Sequence, residues 1–115
     1  MAAVTRKIHF NTGKDFDCIN LTGEIEDALE SVPFEDGVVT VFTPGSTGAV
    51  TTVEYEPGLV KDLAKFFEKL VPQKGKYHHN VEANDDNGHS HVRASLVGPS
   101  VSIPFNGRQL LLGNW

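Results

Sequence analysis

The chain alternates runs of β-type patterning with two stretches of helical periodicity. In residues 4–10, VTRKIHF, Val4, Arg6, Ile8 and Phe10 share one side, while Thr5, Lys7 and His9 share the other; this predicts a strand. After the Asn11-Thr12-Gly13 turn, Phe16, Cys18 and Ile19 predict a second short strand. Leu21, Ile25, Ala28, Leu29 and Val32 recur at helical spacing and predict a helix over 22–32. Thr22 is its expected N-cap, Glu24 and Glu26 suit the positive end of the dipole, and Pro33 stops it. Residues 37–43, GVVTVFT, form a nearly continuous β-branched run, which predicts a strand buried on both faces. A glycine-hydroxyl loop follows at 44–48, and AVTTVEY over 49–55 predicts another strand. Pro57 opens a helix over 57–71 with Leu59, Leu63, Phe66, Phe67 and Leu70 as its apolar stripe, and Pro72 ends it. Residues 77–91 are polar, Ser90–Val97 predicts a short helix, and Gly98 is its C-cap. Residues 99–104 and 108–114 predict a hairpin turning at Asn106-Gly107. The sum is an α+β fold, with a largely antiparallel or mixed sheet and helices packed on one face.

Length and composition narrow the partners. With 115 residues the chain predicts one domain with a single core. Apolar residues make up 39% and charged residues 22%, which suits a folded chain rather than a disordered one. Net charge is −5, which opposes nucleic-acid binding, since that needs a basic footprint. No apolar run is long enough to span a bilayer, and MAAVTRKIHF has no apolar core of a signal peptide. A lone Cys18 makes neither an internal disulfide nor a CxxC site, so a cytoplasmic protein is expected.

The histidines carry the first chemical signal. Four of five, His78, His79, His89 and His91, fall in one short window with Glu82, Asp85 and Asp86. Three neutral imidazoles and an open position make a catalytic zinc site. On extended backbone, His89-x-His91 would point two nitrogens to one face, and His79 would close the site across the loop. Nearby carboxylates would orient the rings. The alternative is a solvated polar loop, because the spacing matches no strict zinc motif. His78 is the weakest member, since it should face away from His79.

The loop Gly45-Ser46-Thr47-Gly48 carries a second, fainter signal. Its amides and hydroxyls would suit phosphate or carboxylate, although no Walker A lysine follows, and an ordinary glycine-containing hairpin loop is the favoured reading on turn chemistry alone. On the expected strand, Glu54 shares a face with Thr52 and would serve as a base or as a partner to a metal ligand. Its bland alternative is a solvent-facing carboxylate. Asn84–Asn87 with Gly88 lacks the spacing of a calcium loop. Arg93 and Arg108 would each suit an anionic substrate, or serve as ordinary hydrogen-bonding residues.

Longer stretches are familiar. His78-His79-Asn80, the run Asn87-Gly88-His89-Ser90-His91-Val92-Arg93-Ala94-Ser95-Leu96-Val97-Gly98-Pro99-Ser100, Pro44–Ala49, Glu54–Pro57 and the ending Leu112-Gly113-Asn114-Trp115 together resemble the YjbQ family. The likeness runs from the first strand to Trp115. It implies a compact α+β fold assembled as a homotrimer. It also implies the family's activity label, secondary thiamine-phosphate synthase, which joins a pyrimidine diphosphate to a thiazole phosphate. His79 and His91 match recurrent histidines, and His89 matches one common in a subset. The resemblance therefore implies His79, His89 and His91 as a metal or catalytic set, with zinc the expected ion; with Glu54 added from its strand position, His79, His91 and Glu54 are the expected catalytic residues. Gly45, Ser46, Thr47, Gly48 and Arg93 are the expected phosphate contacts. Many members carry His-Thr near the start of the glycine loop; Phe42-Thr43 stands here, so no histidine is carried over. Family members usually continue beyond this tryptophan. A shortened chain is thus expected, or an apolar edge covered by a neighbouring subunit.

Three readings follow. One is a thiamine-phosphate-synthase-like enzyme acting on a small phosphorylated substrate. Another is a metal-dependent hydrolase with Glu54 or Asp86 as general base. The last is a non-catalytic protein that holds a ligand or metal.

Overall fold

The computed structural model describes residues 2–115 and has an α+β fold. In chain order it runs α1 (Thr22–Glu30), β1 (Gly37–Phe42), α2 (Pro57–Leu70), α3 (His78–Glu82), α4 (Gly88–Val97), β2 (Ser100–Asn106) and β3 (Gln109–Leu110). The strands form one small sheet in the order β1-β2-β3, with β2 and β3 antiparallel. No helix among the described residues is long and apolar enough to cross a membrane. The chain divides into two compact units. One runs up to Val39 and resumes at Ser102–Trp115; the other is Thr40–Val101.

The first unit is built on α1, which packs against β3. Ile25 and Leu29 lie one helical turn apart and are buried, as their spacing predicts; Ile103 and Phe105 of β2 complete the core. The helix starts at 22, as its predicted range does, and ends at Glu30, two residues short of it; Leu21, not the expected Thr22, is the N-cap. Thr22 is its first residue, and the Asn20 side chain accepts the Thr22 amide at 3.0 Å. The predicted strand at 4–10 does not form, because alternation alone supplies no ladder partner. Arg6 instead reaches the end of α1, donating from Nε to Ser31 Oγ at 3.0 Å and from a terminal nitrogen to Ser31 O at 3.1 Å. The predicted strand at 16–19 is absent too. Cys18 there is half-buried, and burial first, then Asp17, pushes its thiol pKa up.

The hairpin forms one residue beyond its predicted turn. Asn106 pairs with Gln109, so Gly107 and Arg108 make the loop, with φ of 57° and 60°. Two positive φ values match the twist of the flanking strands. Glycine takes that conformation freely; Arg108 is held in it by donating its amide to Glu35 O at 2.8 Å. Gly107 donates to Asp36 Oδ1 at 3.0 Å. β3 is only two residues long, so most of the predicted 108–114 strand is irregular. β1 forms where predicted but is not buried on both faces: Val38 is 65% and Phe42 62% exposed. A β-branched run tolerates burial, but nothing among the described residues covers these side chains.

The second unit carries α2, α3 and α4, with Val71 and Ala94 in its core. The predicted strand at 49–55 is absent. Its backbone goes elsewhere: Val50 N donates to Gly98 O, and Glu56 N donates to Glu54 O in a tight turn. α2 begins at Pro57 as predicted, with Glu56 as N-cap. The Glu56 carboxylate accepts the Gly58 amide at 2.8 Å and the Leu59 amide at 2.7 Å. These two bonds hold its pKa below the ordinary 4.5. A lowered folded-state pKa stabilises above the unfolded value and loses that contribution as pH falls through the folded value. Glu56→Gln is therefore expected to lower Tm at neutral pH, with the gap to wild type closing as pH drops below 4.5. A gap unchanged down to acid pH would contradict the cap.

Candidate functional site

The polar segment predicted as a loop folds into α3 and the first turn of α4, which pack on each other. Their junction is close. A Cβ at Gly88 would stand 2.7 Å from Tyr77 Cβ and 2.8 Å from Asn80 Oδ1, so only glycine fits. Asn80 Oδ1 accepts the Gly88 amide at 2.9 Å, and its backbone oxygen accepts the Asp85 amide at 3.2 Å. Asn84 turns the chain at φ 52°, a conformation asparagine tolerates. The Tyr77 hydroxyl donates to Pro72 O, which ties the start of α3 to the end of α2.

This junction brings His79 and His91 together. Their ring centroids lie 4.6 Å apart, edge to face at 64°, and both residues are half-buried. His79 Nε2 lies 2.9 Å from Asn87 Oδ1. The two imidazoles come from different helices, twelve residues apart in sequence and adjacent in space.

His89 does not join them as a third ligand. The expected chelating pair, His89-x-His91, assumed extended backbone, but α4 begins at Gly88 and includes both. Residues two apart on a helix point to nearly opposite sides. His89 is 2% exposed, with its ring 6.4 Å from that of Tyr77 and its Nε2 3.3 Å from Ser90 Oγ. Among the described residues, no three His, Cys, Asp or Glu side chains gather closely enough to hold a metal ion. A catalytic zinc takes three protein ligands, and the described residues of one chain offer two imidazoles. They do not by themselves fit that ion. Glu54 does not complete a set either; it is exposed, in an irregular segment.

Arg93 serves the fold. One turn beyond His89 on the same side of α4, it is buried. Its Nε donates to Val71 O at 2.9 Å, and a terminal nitrogen meets Glu68 Oε2 at 3.0 Å. Glu68 also accepts the Gln73 amide. The guanidinium thus fastens α4 to the C-terminal end of α2. In the glycine loop, the Gly48 amide donates to Gly45 O at 3.1 Å, so it closes its own turn. Gly45, Ser46 and Thr47 are exposed there. An open depression of about 370 Å³ lies beside α3, lined by Gly75, Lys76, Tyr77, His78, Asn80 and Val81.

The pattern also concealed the two asparagines that build the site. Asn87 before Gly88 reads as a turn signal, yet it ends up beside a histidine eight residues earlier.

Fold and junction define a class: a small α+β protein with a paired-imidazole centre between two short helices. The sequence model described as UPF0047 protein YjbQ-like matches residues 6–115, and the chain belongs to that family. A UPF0047 protein of Archaeoglobus fulgidus is 38% identical over 110 residues, covering 95% of this chain and 82% of that protein. One from Methanothermobacter thermautotrophicus is 33% identical over 115 residues, or 79% of its length. Among solved structures, an uncharacterised conserved YjbQ/UPF0047 protein of Clostridium acetobutylicum has a TM-score of 0.83 at 32% identity, covering 92% of this chain and 80% of that one. A protein of unknown function from Sulfolobus solfataricus has a TM-score of 0.87 at 27% identity, covering 94% of this chain and 77% of that one.

Proposed function

We propose that this chain is an enzyme acting on a small phosphorylated substrate, with His79 and His91 as its proton-transfer pair. The observation that supports this most is their convergence, at 4.6 Å, from two separate helices. Imidazole is the side chain whose ordinary pKa lets it give and take protons near neutrality. Two in contact can divide the work, one neutral and accepting, the other cationic and donating.

For the thiamine-phosphate-forming reaction the chemistry balances simply. The carbon–oxygen bond to the diphosphate breaks and its electron pair leaves with pyrophosphate. The thiazole nitrogen supplies the pair for the new carbon–nitrogen bond. An imidazolium donating to the departing oxygen would stabilise the charge that develops there. Hydrolysis is the second reading, and a specific observation favours it. Arg93 and the Gly48 amide are engaged within the fold, which leaves fewer donors for pyrophosphate. A neutral imidazole would then activate water. A divalent metal on this pair needs a third ligand from beyond the described residues of one chain, and no step above depends on it.

The assay supplies the pyrimidine diphosphate with and without the thiazole phosphate, and measures thiamine phosphate and pyrophosphate separately. Thiamine phosphate supports transfer, and pyrophosphate alone supports hydrolysis. Neither product, with either compound bound, would overturn the enzyme reading in favour of a binding protein.

Homotrimeric assembly belongs to the same proposal. In support, Phe66 and Leu70 on α2, and Val92 and Leu96 on α4, stand exposed at i, i+4 spacing. Such exposed apolar side chains suit an interface between copies. Light scattering is expected to give three times the chain mass; a monomer at micromolar concentration would refute it.

A further inference from the structure

We infer that Asn87 is a positioning residue that fixes the tautomer of His79, keeping the proton on Nε2 and leaving Nδ1 as the basic atom. This rests on the reading of His79 as part of the working pair only for its consequence in catalysis. The tautomer itself rests on the contact between His79 Nε2 and Asn87 Oδ1.

Asn87 occupies the N-cap position of α4, where asparagine ordinarily uses its side-chain oxygen to accept a free amide of the first helical turn. Here it does not: no side-chain cap bond is made. The backbone oxygen accepts the Ser90 and His91 amides, at 3.0 and 3.2 Å. The side-chain oxygen is turned to His79 Nε2, 2.9 Å away. An amide oxygen only accepts, so the nitrogen facing it carries the hydrogen. Neutral imidazole holds one such proton, and Nδ1 then keeps the lone pair.

Neighbouring bonds hold the asparagine in place. The amide of the next residue, Gly88, is fixed by Asn80 Oδ1, and Asn80 adjoins His79 on α3. One asparagine from each side of the junction bonds across it. The Asn80 bond sets the spacing of the helices, and the Asn87 bond sets the ring. His91, whose own amide is anchored on Asn87 O, meets the ring so oriented. An acid–base pair works from one defined nitrogen, and a ring free to exchange tautomers would present it only part of the time.

Long-range proton–nitrogen NMR on the uniformly ¹⁵N-labelled chain, above the pH at which imidazoles protonate, reads this directly. In wild type, His79 Nε2 is expected to resonate as a protonated nitrogen and Nδ1 as a bare one. Asn87→Asp retains an acceptor and should keep that pattern. Asn87→Ala should draw the two resonances toward each other as the tautomers exchange. Should the alanine variant fail to fold, wild type and Asn87→Asp still decide. A proton on Nδ1 in wild type, or an unchanged pattern in a folded Asn87→Ala, would overturn the inference. A fixed Nε2–H tautomer with no turnover on the thiamine precursors would sustain it while removing the proposed function. Turnover by a wild-type protein with mixed tautomers would do the reverse.

Discussion

Arg93→Met is expected to destabilise the fold by about 2–4 kcal/mol, the largest loss from any single polar change in the second unit. Methionine fills much of the same space, so the loss reports mainly on bonds. Val71 is buried at the end of α2, and its carbonyl would lose the Arg93 Nε–H. An acceptor stripped of its partner inside the fold costs about 1–3 kcal/mol. The ion pair itself contributes less. Glu68 is 56% exposed, and water compensates it when the guanidinium goes. Glu68→Gln is accordingly expected to cost under ~1 kcal/mol. Arg93→Lys should fall between, because an ammonium lacks the fork that serves the carbonyl and the carboxylate together. Urea unfolding of the three variants checks the order. A methionine variant as stable as Glu68→Gln would show that the carbonyl bond counts for nothing.

His79→Ala and His91→Ala are each expected to reduce turnover of the pyrimidine diphosphate by about 10²–10⁴-fold, the usual contribution of a positioned acid or base. Stability should change far less, since both side chains are only half-buried. His89→Ala separates the two kinds of histidine. At 2% exposure it supports the fold, so its removal should lower Tm through an unfilled space behind Tyr77. Equal turnover losses in all three, with Tm unchanged in all three, would restore the three-histidine site that the spacing suggested.

Much of this was legible from residue order. α2 could be located by Pro57 and Pro72, α1 by its Ile25–Leu29 stripe, and the hairpin by Asn106-Gly107. These signals are local, and local chemistry decides them. The strands at 4–10, 16–19 and 49–55 failed for one reason: a strand exists only where another chain segment pairs with it, and alternation does not supply the partner. The histidine window was legible as a cluster but not as a geometry. Whether His89 and His91 share a face depends on whether the backbone is extended or helical. That was decided by the Gly88 contact with Tyr77 and Asn80, which no periodicity encodes. The structural bonds of Arg93 were hidden for a related reason, since a buried arginine that caps a helix end looks in sequence like one that meets a phosphate.

The central claim is that His79 and His91 act as one unit. The most direct test is a double-mutant cycle on pyrophosphate release, comparing His79→Ala, His91→Ala and the double variant. If the two rings share a single proton-transfer task, the double variant should be about as slow as the slower single one. Losses that multiply, or two single variants as fast as wild type, would show that the contact at 4.6 Å has no part in the chemistry.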